Sequence, residues 1–147
     1  MSVVVWDGKT LAADRQGTSG ELKMPMSKIK KLPSGEIVAW VGDQLSGLKL
    51  IHWYESGANA DDFPLDISNE ERHAVLVVAG FHGAVFYAVD AYPLPCEGPY
   101  MAWGSGDGYA LGALAMGADA VRAVEIASQL SILCGFGVDA FTVEAAA

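Results

Sequence analysis

The stretch that decides the fold runs from Met1 to Asp14 and reads Met-Ser-Val-Val-Val-Trp, Asp-Gly-Lys-Thr, Leu-Ala-Ala-Asp. Its two short apolar runs, separated by turn residues, predict a β-hairpin. The pattern repeats around Pro33-Ser-Gly35, between the basic run from Lys28 and the apolar run that ends at Gly42. Because the first strand opens at residue 2, where chain termini normally fray, we expect the amino-terminal residues to be part of the working site.

The register of the first hairpin is open from sequence alone. A two-residue turn at Asp7-Gly8 places Met1 opposite Asp14, whereas a three-residue loop places Ser2 there. The difference matters because only Ser2 carries a hydroxyl group. If Met1 is retained and occupies the position opposite Asp14, the site lacks a nucleophile.

Composition excludes several classes of protein. The 147 residues are 52% apolar and 18% charged, with a formal net charge of −9, which suits one domain over residues 1–147. The negative charge argues against a nucleic-acid partner, which requires a basic face. Without a basic leader or an apolar run of transmembrane length, we expect a cytoplasmic protein with no membrane partner. Cys96 and Cys134 are expected to be reduced, buried fillers.

No pattern predicts a metal site or a cofactor. The histidines lie on different predicted elements, without the spacing of a metal site: His52, His73 and His82. Three aspartates share the polar loop between residues 58 and 73: Asp61, Asp62 and Asp66. They offer oxygen ligands for a cation, but an acidic surface is the expected state of a chain with this charge.

The order of the motifs resembles the proteasome β-subunit group of N-terminal-nucleophile hydrolases. It is most similar to the small bacterial members, such as the heat-shock-locus peptidase that works with a ring ATPase. The resemblance covers most of the chain and rests on the opening strand at Ser2, on Asp14, on Lys28, and on the turn Gly-Ser-Gly around Ser105.

The fold class implied is α+β, a four-layer α/β/β/α sandwich. The predicted elements agree with it: a helix from Asp43 to about Ser56 with Leu45 and Leu48 on one face, an apolar hairpin over residues 74–89, two helices over residues 107–134, and a last strand over residues 138–144. The family has a second long helix where this chain has only the loop of residues 58–73. One helical layer is therefore expected to be reduced.

The resemblance also implies a catalytic set. Ser2, freed by removal of Met1, supplies the nucleophilic hydroxyl and its own α-amine as base, while Lys28 lowers the pKa of both groups and Asp14 orients Lys28. Ser105 assists near the amine, and Asp139 offers a displaced match to a further helper.

Backbone donors for the oxyanion fall at Ala39 or Trp40, where the family prefers glycine. The plainer interpretation of Lys28, Lys30 and Lys31 is a solvated edge strand.

Two functions follow from these patterns. The first is amide-bond hydrolysis of a peptide or amide substrate in a homo-oligomeric ring, with an ATPase as a candidate partner. The second is a non-catalytic ring or shell protein that keeps Met1 and uses the sandwich for assembly.

Overall fold

The computed structural model describes residues 2–65 and 73–144. The strands are β1 (Val4–Trp6), β2 (Thr10–Asp14), β3 (Gln16–Ser19), β4 (Leu22–Pro25), β5 (Ile29–Lys31), β6 (Ile37–Gly42), β7 (Ala74–Gly80), β8 (Gly83–Tyr87), β9 (Leu94–Pro95), β10 (Met101–Trp103) and β11 (Val138–Thr142). The helices are α1 (Gln44–Glu55), α2 (Asp107–Ala115) and α3 (Ala120–Leu130), with a short 3-10 turn at Ala60–Asp62.

Two antiparallel sheets form the centre of the molecule. One has the strand order β10-β1-β2-β11, the other β5-β6-β7-β8-β9, and β3 pairs with β4 as a separate ribbon. Apolar side chains from both sheets meet between them, with Val4, Leu11, Ile37 and Val77 completely buried. Alternation along each strand sends the neighbouring side chains to the outer faces.

A helical layer covers each outer face, so the expected α/β/β/α sandwich is confirmed. Helices α2 and α3 pack on the sheet that contains β1, around the buried Val5 and Val124. Helix α1 packs on the other sheet around Leu50 and Leu76. Within the described part of the chain, this second layer holds α1 and the 3-10 turn, in agreement with the reduced layer expected from the loop of residues 58–73.

The buried face of α1 differs from the expected one. Leu45 and Leu48 are 47% and 49% exposed, while the small residues Ser46 and Gly47 are buried against the sheet. The reason is the bulk of Trp40 on β6, because a Cβ atom added to Gly47 would lie 2.4 Å from the indole ring. The prediction that the large apolar residues Leu45 and Leu48 mark the buried face of α1 is therefore wrong.

Helix α3 also ends earlier than expected, at Leu130 rather than Cys134. Its last residue, Leu130, is 60% exposed. Residues 131–137, called the carboxyl-terminal loop below, contain no helix or strand. They do not continue the helix because Gly135 forms hydrogen bonds with Asp14 and Arg15 at the end of β2.

Neither expected register of the first hairpin is correct. Trp6 pairs with Leu11, and the register continues until the Asp14 N–H donates to the Val3 carbonyl at 3.2 Å. The turn is longer than predicted because Asp7 Oδ1 accepts hydrogen bonds from the N–H groups of Lys9 and Thr10. Val3 therefore lies opposite Asp14.

Candidate active site

The site is built around a buried ion pair. Lys28 Nζ lies 2.7 Å from Asp14 Oδ1, and the two side chains are 1% and 0% exposed. Lys28 directly precedes β5 in one sheet, and Asp14 ends β2 in the other. The pair thus joins the two sheets near the amino terminus, as predicted from the sequence.

Backbone donors satisfy the carboxylate on its other sides. Asp14 Oδ1 accepts from the N–H of Val3 at 3.0 Å, and Oδ2 accepts from Gln16 at 3.2 Å and from Gly135 at 3.1 Å. With Lys28, the carboxylate has four donors drawn from four segments of the chain. A carboxylate surrounded in this way can be buried as an anion.

Burial lowers the pKa of Lys28 below its ordinary value of 10.5, and the charge and hydrogen bond of Asp14 oppose this effect. Desolvation disfavours the ammonium, while the neighbouring anion favours it. The other lysines of this run are different. Lys30 and Lys31 form exposed ion pairs with Glu55 and Glu144, so the solvated edge describes those two residues and not Lys28.

Ser2 lies beside the pair. It is 1% exposed and lines a cavity of about 250 Å³ together with Lys28. The other lining residues are Gln16, Gly17, Thr18, Ser19, Met26, Trp40, Gly42, Asp43 and Gln44. Ser2, Lys28 and the first residue of α1, Gln44, therefore line one partly open cavity.

The turn that contains Ser105 holds the backbone of Ser2. The Gly106 N–H donates to the Ser2 carbonyl at 3.2 Å. A Cβ atom at Gly104 would lie within van der Waals overlap of the same carbonyl, and this glycine has a φ of +102°. The side chain of Ser105 is exposed, so the turn contacts Ser2 through its main chain.

The predicted oxyanion donors are engaged in the sheet. The Trp40 N–H donates to the Lys28 carbonyl at 3.0 Å. Ala39 is paired with Ile29 on one side and with Val77 on the other. The bond of Trp40 argues against its amide as a donor to a substrate oxygen, and Ala39 lies inside a strand that is paired on both sides.

Asp139 lies apart from Lys28. On β11 it is opposite Ala13, and its Oδ2 is 3.5 Å from Nε of Arg15, which is 41% exposed. A half-exposed pair at this distance is weak. The structure therefore places Asp139 in the same sheet as Asp14, where its ion-pair partner is Arg15 and not Lys28.

Sequence reasoning missed two residues that touch the pair. Gly135 donates to Asp14 from a loop 121 positions away in the chain. Gln16 is 3% exposed, lines the cavity, and donates from Nε2 to the Ile132 carbonyl at 3.0 Å. The only signal for Gln16 is its place two residues after Asp14, and no local signal marks Gly135.

Cys134 fits its predicted role as a buried filler, and Cys96 is half-buried. Burial, reinforced by the charge of Asp14, raises the pKa of the Cys134 thiol. Burial alone raises the pKa of Cys96 to about 11. Both thiols are therefore protonated and unreactive at neutral pH.

Residues 2–65 and 73–144 contain no group of three or more His, Cys, Asp or Glu side chains arranged to hold a metal ion. Asp61 and Asp62 are exposed in the 3-10 turn, and Asp66 lies outside the described residues. None of the helices in these same ranges is long and apolar enough to cross a membrane.

Comparison with known proteins identifies the fold. The sequence matches no protein-family model and no curated protein sequence. Solved structures do match: eukaryotic HslV from Trypanosoma brucei has a TM-score of 0.75 and 20% identity, covering 97% of this chain and 98% of that chain. Thiobacillus denitrificans BPH in complex with epoxomicin has a TM-score of 0.76 and 22% identity, covering 100% of both chains. A second structure of Thiobacillus denitrificans BPH has a TM-score of 0.75 and 21% identity, covering 99% of each chain. The chain thus has the proteasome-type sandwich along essentially its whole length.

Proposed function

We propose that this protein hydrolyses amide bonds with Ser2 as an amino-terminal nucleophile, once Met1 has been removed. The observation that carries the proposal is the buried Lys28–Asp14 pair, whose lysine lines the same cavity as Ser2. The similarity in fold to HslV and to BPH in complex with epoxomicin supports this choice of chemistry over others.

The chemistry follows from the groups that face the cavity. The α-amine of Ser2, whose ordinary pKa is about 8, takes the hydroxyl proton as the oxygen attacks the substrate carbonyl. The amine then passes that proton to the departing nitrogen, which leaves an ester on Ser2. Water, deprotonated by the same amine, cleaves the ester and restores the hydroxyl. Lys28 supplies positive charge beside the developing anion, and Asp14 fixes its direction.

The oxyanion needs a donor other than Trp40. Gln44 occupies the first position of α1 and lines the cavity. The N–H groups of a helix's first turn have no acceptor within the helix, and the helix dipole favours negative charge there. We assign the oxyanion role to the N–H of Gln44, because the Ser46 N–H of the same turn donates to the Asp43 carboxylate.

A second candidate function is a non-catalytic shell protein that retains Met1. The specific observation in its favour is the Trp40 N–H, which is bonded to Lys28 within the sheet. In this case the sandwich serves assembly and the cavity is closed to substrates.

The deciding experiment combines intact mass with inhibitor labelling. Purified protein is weighed to identify its first residue, then incubated with epoxomicin and with fluorogenic peptide amides. The proposal predicts a chain that begins at Ser2, an adduct of one epoxomicin on the amino-terminal peptide, and peptide hydrolysis. Ser2→Ala removes both adduct and activity. Ser34→Ala, which changes an exposed turn serine, leaves them intact. A chain that retains Met1 and forms no adduct supports the shell protein instead.

We also propose assembly into a homo-oligomeric ring in the cytoplasm, with an ATPase as partner. Large apolar side chains are exposed on and beside the α2 and α3 layer, including Met116 at 89% and Ile132 at 80%. Exposed apolar groups of this kind favour contacts between subunits. Light scattering at micromolar concentration tests this step, and a monomeric mass contradicts it.

A further inference from the structure

The carboxyl-terminal loop (residues 131–137) reaches the ion pair through main-chain contacts. Gly135 donates its N–H to Asp14 Oδ2 at 3.1 Å, and its carbonyl accepts the N–H of Arg15 at 2.9 Å. Next to it, Cys134 is 4% exposed and packs with the buried residues under α3. The loop therefore supplies a donor to Asp14 and covers this end of the molecule.

One side chain holds the loop in this position. Gln16 Nε2 donates to the Ile132 carbonyl at 3.0 Å, and a Cβ atom at Gly135 would lie 2.9 Å from Gln16 Oε1. The Gln16 amide thus contacts both ends of the segment 132–135. Its own N–H donates to Asp14 Oδ2, so the clamp and the carboxylate share one residue.

The loop needs such a clamp because it lacks regular hydrogen bonding and contains backbone strain. Phe136 has a φ of +62°, an unfavourable value for a bulky residue, and its side chain is 50% exposed. Strain of this kind persists only where surrounding contacts fix the chain. The bonds from Gln16, Arg15 and Asp14 are those contacts.

We propose that Gln16 is a positioning residue that clamps the carboxyl-terminal loop onto Asp14 and thereby keeps water away from the Lys28–Asp14 pair. The importance of Gln16 for catalysis rests on the proposed hydrolase function. The effect of Gln16 on the Lys28–Asp14 pair is independent of that function. Burial is the largest cause that lowers the pKa of Lys28, and the ionisable groups that act on it are Asp14 on β2 and Cys134 in the loop. Releasing the loop therefore returns the pKa of Lys28 toward 10.5.

The test replaces the amide with an apolar group of similar length. In Gln16→Met, we expect amide hydrogen exchange at Gly135 to accelerate at least tenfold, because its bond to Asp14 opens more often. The NMR titration of the Lys28 side chain should move to higher pH. In active protein, kcat for peptide amides should fall about tenfold with KM changed less than twofold. Gln129→Met, on an exposed position of α3, should leave all three unchanged.

A second variant acts from the other side of the contact. Gly135→Ala pushes a methyl group toward Gln16 Oε1 and should accelerate the same exchange, which tests the clamp if Gln16→Met does not fold. A folded Gln16→Met with normal exchange at Gly135 and an unmoved Lys28 titration overturns the proposal. If the wild-type chain hydrolyses nothing, the hydrolase fails, yet exchange and titration still decide the role of Gln16.

Discussion

The two halves of the buried ion pair should differ in what they contribute to stability. Asp14 accepts three backbone hydrogen bonds in addition to the bond from Lys28. Lys28→Met removes one donor and leaves the carboxylate with its N–H partners. Asp14→Asn removes the charge opposite a buried ammonium and turns amide hydrogens toward groups that are themselves donors. The aspartate variant should therefore be the more damaging.

The magnitudes follow from the contacts. Removing one member of a buried pair costs about 3–5 kcal/mol when the other charge is left without compensation, and this range applies to Asp14→Asn. For Lys28→Met we expect about 1.5–3 kcal/mol, roughly the value of one hydrogen bond to a charged group. The double variant should cost less than the sum of the two, with a coupling free energy of about 1–3 kcal/mol.

The assay is urea unfolding of the wild type, both single variants and the double variant, followed by tryptophan fluorescence. A pH series adds a second check. The pKa of Lys28 is lower in the folded chain than its ordinary 10.5, so the unfolded chain binds more protons between those two values. The unfolding free energy of the wild type should therefore rise with pH between the lowered pKa of folded Lys28 and 10.5. In Lys28→Met this rise should be absent. If Lys28→Met costs as much as Asp14→Asn, the assignment of the carboxylate as the structural centre is refuted.

Three further substitutions test the packing. Gly47→Ala should destabilise the chain by about 1–3 kcal/mol, measured by urea unfolding, because the new methyl group meets the Trp40 ring. This loss should outweigh the better helix propensity of alanine. A gain in stability would contradict the packing of α1. Asp7→Ala removes the acceptor for the N–H groups of the turn and for the N–H of Ala120. It should lower the unfolding free energy by about 1–3 kcal/mol. An unchanged urea midpoint would show that water replaces the carboxylate. Ala58→Gly should raise stability by up to about 1 kcal/mol, since Ala58 has a φ of +53°; thermal melting that shows a loss would place the strain elsewhere.

Local sequence signals predicted most of the strands and the three helices, and the resemblance implied the sandwich that they form. Strands β3, β4 and β9 were not among the predicted elements. Short apolar runs between turn residues gave the strands, and Asp43 gave the start of α1, where its carboxylate accepts the Ser46 N–H at 3.0 Å. The Lys28–Asp14 pair came from the resemblance and is present as a buried contact. These features depend on neighbours in sequence or on the order of motifs.

The remaining features depend on contacts that a linear pattern does not contain. The register of the first hairpin is set by the Asp7 carboxylate, which bonds the turn and also the start of α3 through Ala120 at 2.9 Å. The buried face of α1 is set by the shape of Trp40. The contact of Gly135 with Asp14 requires a loop that the helical pattern had assigned to α3. Each is a tertiary contact that overrides a local preference.

The choice between a hydrolase and a non-catalytic shell protein depends on whether the fold itself requires both Asp14 and Lys28. Asp14 has a structural role, because without it the N–H groups of Val3, Gln16 and Gly135 lose their acceptor. Lys28 has no comparable role, since a buried ammonium is costly and its lowered pKa records that cost. An apolar side chain at position 28 would fill the same space without desolvating a charge. Stability therefore accounts for Asp14 more fully than for Lys28, which is 1% exposed beside the cavity of Ser2. The proposed nucleophile gives a further reason for this lysine, because its hydroxyl needs a nearby positive charge.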